Sequence, residues 1–160
     1  MGQFNTWSHA INNQHSLKHD LINIGPISIN CHDWGGQGRD LILIHGLASN
    51  CRIWDLVGPL LAKTNSVKAI DQRGHGLSSK PNQGYDFNTV TNDLYLFLEA
   101  NQIDNPLLVG HSWGGSVALN FAAHHPEMVS GLCLVDGGLI EISSIPGNSL
   151  EKALVDMAPP

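Results

Sequence analysis

The sequence holds little charge, few cysteines and no long apolar run, and no histidine follows His125. Charged residues make up 14% of the 160, and 14 acids against 8 bases leave a net charge of −6. The lysines and arginines stand singly, which excludes the basic stripe that nucleic acid or an anionic membrane surface requires. No stretch approaches the ~18 apolar residues of a membrane-spanning helix. Cys31, Cys51 and Cys133 are odd in number and far apart, which excludes a disulfide framework and a metal-ligand set. They are expected to be buried, reduced thiols in a cytoplasmic protein. The start of the chain lacks a cationic end followed by an apolar core, so no secretory signal is expected. Met1-Gly2-Gln3-Phe4-Asn5-Thr6 fits the bare myristoylation pattern, read here as a chance match. No cofactor and no metal is expected.

What is present suits one soluble globular domain. Hydrophobic residues reach 42%, and a chain of this size can bury roughly 70% of its unfolded surface. Residues 1–14 are mostly polar and read as a loose start. Extended segments at Leu21–Ile24 and Ile27–Cys31 flank a Gly25-Pro26 turn, and Trp34 to Gly38 reads as another turn. Leu41–Ile44 is a continuous apolar run, as in a strand covered on both faces. Ser49 or Asn50 can cap a helical stretch whose Ile53, Trp54, Val57, Leu60 and Leu61 share one face, with Pro59 breaking it in two. Val67–Ile70 forms a short strand. Phe87, Val90, Leu94 and Phe97 recur at helical spacing behind Asp86, a plausible cap. A strand at Leu107–Val109, a helix ending before Pro126 and a strand at Leu132–Val135 follow. This alternation specifies an α/β protein with a mainly parallel sheet and helices on both faces, the leading extended pair adding antiparallel strands at one edge.

Between the strand and helix that follow residue 106 lies Gly110-His111-Ser112-Trp113-Gly114. In this setting G-x-S-x-G is a nucleophile elbow, which lifts a serine hydroxyl clear of the sheet on a strained turn. A serine hydroxyl is a weak nucleophile at neutral pH and needs a base, usually histidine, oriented by a carboxylate. The helix behind Ser112 favours developing negative charge at its start. The Trp113 amide is placed to face the oxyanion of a tetrahedral intermediate. A second donor is expected from His45-Gly46-Leu47, where Gly46 allows a tight turn and the Leu47 amide is the candidate. Each such donor is worth roughly 3–4 kcal/mol.

Leu43-Ile44-His45-Gly46-Leu47, Asp71-Gln72-Arg73-Gly74-His75-Gly76-Leu77-Ser78, Gly110 to Gly115, and Leu134-Val135-Asp136-Gly137 occur in an order and spacing that resemble the first half of an α/β-hydrolase fold protein. The resemblance covers about residue 20 to 138 and implies a partial core over 15–138, with 139–160 opening the family's lid. The Gly-His-x-Trp-Gly-Gly elbow is similar to epoxide hydrolases and haloalkane dehalogenases, which carry aspartate where this chain has Ser112. Serine there implies acyl transfer through an acyl-serine, on a small-molecule acyl substrate such as an ester, lactone or thioester. The family's acid follows either the strand after the elbow helix or the next one. Asp136, which closes the first of these, is a candidate, and a strand-end aspartate capping a turn is the alternative. In the family the Asp71 loop is structural, with Arg73 and His75 stabilising turns.

The family's histidine comes after its acid, and here none does. His124 and His125 lie about a dozen residues along the elbow helix, ~17 Å from Ser112 at 1.5 Å per residue. His45 belongs to a turn, His75 to a loop, and strand alternation turns His111 away from Ser112. No histidine is assigned as base. The chain is therefore expected to be truncated before the last strands and closing helix, with its catalytic histidine missing and weak or no turnover alone. The sheet would end at Leu132–Val135, with an unprotected edge and one face partly bare. The alternative is a catalytically inactive remnant or ligand-binding protein on the same fold.

Overall fold

Six strands alternate with short helices in the computed structural model, which describes residues 18–137. The expectations for 1–14 and 139–160 lie outside those residues. Strands β1 (Lys18–Asn23), β2 (Ser28–Gly35), β3 (Arg39–Ile44), β4 (Asn65–Ile70), β5 (Leu107–His111) and β6 (Gly131–Val135) form one sheet in the order β1-β2-β4-β3-β5-β6. The β3–β4, β3–β5 and β5–β6 pairs are parallel, and β1–β2 and β2–β4 are antiparallel. β3 lies inside the sheet under cover on both faces, which is why Leu41 to Ile44 are apolar without alternation.

Helices α2 (Phe87–Ala100) and α3 (Trp113–His124) cover one face. Leu94, Phe97, Leu108, Val117 and Phe121 form its core, and each such burial is worth about 1.5–3 kcal/mol. Asp86 caps α2 as expected, accepting from the Thr89 amide at 3.0 Å. The other face packs Trp34, Leu41, Leu43, Trp54, Val67 and Ala69. Among the described residues only a 3-10 turn (Cys51–Trp54) and one turn of helix, α1 (Gly58–Leu61), lie over it. Asn50 caps the 3-10 turn, and Pro59 stands in the first turn of α1, as its missing amide hydrogen favours.

Three local expectations are corrected. Trp34 and Gly35 belong to β2, because pairing with β4 continues to Gly35↔Val67 through an irregularity after Asp33. Trp34 is buried against Gly58, where a Cβ would lie 2.7 Å from the indole. The apolar residues of 53–61 do not share one buried face. The break at 55–57, between the 3-10 turn and α1, changes their phase, so Trp54 turns inward while Ile53, Val57 and Leu60 stay 43–44% exposed. Cys133 is exposed, unlike Cys31 and Cys51, because it sits on β6. That strand ends the sheet among the described residues, with Leu134 37% and Val135 40% exposed.

Candidate active site

Ser112 joins β5 to α3 with φ 50° and ψ −118°, a conformation strained for any residue with a side chain. The strain is imposed from both sides. The Ser112 amide donates to the Val135 carbonyl at 2.9 Å, while Gly115 and Ser116 already donate to the Ser112 carbonyl. The bend fits because β5, α3 and β3 nearly touch. A Cβ on Gly110 would lie 2.3 Å from Gly114 O, and one on Gly114 would lie 2.4 Å from Ile44 O. Ser112 is half-buried, and its hydroxyl makes no cap bond to α3.

The loop after β3 lies against this elbow. A side chain begun on Gly46 would meet Ser112 Cβ at 3.2 Å and the His111 ring at 3.0 Å. His111 therefore keeps its ring beside the elbow despite strand alternation, with Nδ1 buried and unpartnered among the described residues. The Leu47 and Trp113 amides donate to no other described residue. The Trp113 side chain is in the core, edge-to-face with Phe87 at 5.0 Å.

His45 is fully buried and fully engaged. Its Nδ1 is 2.6 Å from the Gly46 carbonyl, and its Nε2 is 3.0 Å from the Gln72 amide. A carbonyl only accepts and an amide only donates, so the ring is the neutral tautomer with its proton on Nδ1. Burial pushes its pKa down to about 4, with the Gly46 bond opposing. The Gln72 side chain adds a bond from Nε2 to the His45 carbonyl at 2.6 Å. Gln72 was not singled out from the sequence. Nothing in one chain separates it from its Asp-Gln-Arg-Gly surroundings, since its role depends on the β3–β4 register.

Asp71 is a structural anchor. It accepts from the Cys51 amide (2.6 Å), the Asn30 side chain (2.8 Å) and the Leu77 amide (2.9 Å). Burial alone would raise its pKa, yet these donors outweigh it and hold the carboxyl below its ordinary value. Arg73 makes a bidentate pair with Asp93 of α2 and also donates to the Gly84 carbonyl, which ties the loop to the helix layer. His75 lies beside His45, with ring centres 5.0 Å apart and the rings tilted by 58°.

Asp136 is exposed, follows β6 directly and has φ 50°. The next residue, Gly137, lies on the elbow, where a Cβ would sit 2.5 Å from Ser112 Cα. The Asp136 turn is thus beside the Ser112 backbone. His124 and His125 stand at the far end of α3, His124 bonded to the Asn120 carbonyl and His125 packed on Phe121. Among the described residues no group of three or more His, Cys, Asp or Glu could hold a metal ion, and no helix is long and apolar enough to cross a membrane.

A strand-elbow-helix unit at the C-terminal end of an inner parallel strand is the site architecture of an α/β hydrolase. The alpha/beta hydrolase fold family model matches residues 41–157, and the chain belongs to that family. It is 36% identical over 121 residues to a fluoroacetate dehalogenase of a Burkholderia species, covering 72% of this chain and 40% of that protein. It is 32% identical over 115 residues to 2-(acetamidomethylene)succinate hydrolase of Mesorhizobium japonicum, covering 72% and 41%. The crystal structure of a bromoperoxidase from Bacillus anthracis superposes with a TM-score of 0.71 at 31% identity, covering 75% of this chain and 45% of that one. The chain spans about 40% of the length of the curated relatives it matches.

Proposed function

We propose that this chain carries the nucleophile half of a serine hydrolase acting on an ester-like small molecule through an acyl-serine. The observation that carries the reading is Ser112 itself, held at φ 50° where β5 ends, its hydroxyl uncommitted to the helix behind it. Ser112 Oγ attacks the substrate carbonyl, and the leaving alcohol, thiol or amine departs as the acyl-serine forms. The Leu47 and Trp113 amides take the developing oxyanion, as their lack of a described acceptor allows. Water then cleaves the acyl-serine. Asp136 is the acid nearest in sequence to the elbow contact and is assigned to orient a base.

No described histidine is assigned as that base. His45 has both nitrogens engaged, and His124 and His125 stand at the far end of the elbow helix. No cofactor enters this reaction. The test is mass spectrometry of the folded chain after prolonged exposure to a fluorophosphonate. A phosphonyl adduct on Ser112, lost in Ser112→Ala, is expected. A folded sample that is never modified at Ser112 is an inactive remnant or a binding protein, and the reading fails.

A further inference from the structure

We propose that Gln72 is a positioning residue for the reaction at Ser112, holding His45 so that the loop after β3 keeps its amides turned to the elbow. The inference rests on the reading of Ser112 as nucleophile. Two successive carbonyls of that loop are tied back. Gln72 Nε2 donates to His45 O at 2.6 Å, and His45 Nδ1 donates to Gly46 O at 2.6 Å. The described peptides are all trans, and a trans peptide points its N–H opposite to its carbonyl. Fixing Gly46 O therefore fixes the direction of the Leu47 N–H.

The backbone of Gln72 adds the second half of the clamp. Its amide donates to His45 Nε2 at 3.0 Å, which keeps the ring proton on Nδ1, where the Gly46 bond needs it. A proton on Nε2 would set two donors against each other. The contact reaches the elbow directly, because a Cβ on Gly114 would lie 2.5 Å from His45 O. Gln72 makes these bonds at a cost, since its Oε1 is buried with no partner among the described residues. An apolar residue filling the same space would avoid that cost. The titratable groups around the ring are Asp71 beside Gln72, His75 on the same loop and His111 from β5.

Phenylboronic acid provides the test, because it adds to a serine oxygen as a tetrahedral anion while the serine proton passes to solvent. Binding to the whole chain is followed by amide NMR. The Leu47 and Trp113 signals are expected to move, and Gln72→Leu and Gln72→Glu to weaken binding on the order of 10- to 100-fold. Either variant, folded and binding the boronate as tightly as the unaltered chain, overturns the positioning role. If neither folds, the 15N signals of the His45 ring decide. An Nδ1–H ring that shifts on boronate addition supports the clamp, and any other pattern overturns it. A folded, unaltered chain that never forms the adduct sinks the assignment of Ser112 itself.

Discussion

His45 is the residue where local chemistry has the widest consequence. A histidine held neutral by burial resists a proton that the unfolded chain accepts. Its pKa falls from 6.5 to about 4 on folding, so below pH 6.5 the unfolded state binds more protons. Its contribution is complete above pH 6.5 and is lost as the pH falls through about 4. The gap corresponds to about 3 kcal/mol at 1.36 kcal/mol per pH unit. His32, its pKa lowered first by burial and then by the neighbouring His19, adds in the same direction. The urea midpoint should therefore drop between pH 6.5 and 4, and His45→Gln should flatten most of that slope while lowering stability at pH 7. An unchanged slope in His45→Gln would show that the ring is not the group being titrated. The sequence placed His45 in a turn beside the oxyanion loop, and that much was legible from Gly46 alone. Its fixed tautomer was not, because the partner that sets it, Gln72, comes from the loop after β4, 27 positions away.

At the scale of elements, the strands and helices with strong periodicity were readable and the weakly patterned ones were not. The continuous run Leu41–Ile44, the Asp86 cap and the elbow each carry a local signal that survives in the fold. Trp34 lost its turn because tertiary pairing with β4 outweighed the glycines around it. The 53–61 segment mixed two helical phases that a single stripe could not describe. The Arg73–Asp93 pair joins a loop to α2 and was also invisible, since it links residues 20 apart with their side chains 9% and 8% exposed. Breaking a buried pair leaves a charge without compensation, at a typical cost of 3–5 kcal/mol. Asp93→Asn should therefore lower stability by about 3–5 kcal/mol in chemical denaturation. Arg73→Met combined with Asp93→Leu should lose less than the single change. A small loss in Asp93→Asn with a larger one in the double change would mean that the bond to the Gly84 carbonyl, not the ion pair, anchors the loop.

At the scale of the whole fold, the described residues cover the two faces of the sheet unequally. Among those residues one face carries two full helices over a continuous core, and the other carries only a 3-10 turn and a single helical turn. β6 feels the difference most. It is parallel to β5 and wholly apolar apart from Cys133, with Leu134 and Val135 37% and 40% exposed. Parallel strands of this composition are ordinarily covered on both faces, and a flat apolar edge without charge is a template for pairing with another chain. The register puts Val135 level with His111 and Val109 level with Cys133, so Cys133 and Val135 lie on the less-covered face. A charge at 135 interrupts that patch without disturbing the α2–α3 core on the opposite side. Val135→Lys should reduce self-association of the 160-residue chain, measured by light scattering against concentration, and leave the thermal midpoint within a few degrees of its original value. If association were driven instead by the exposed Ile53, Leu56, Val57 and Leu60 on the other helical phase, Val135→Lys would change nothing and Leu56→Lys would.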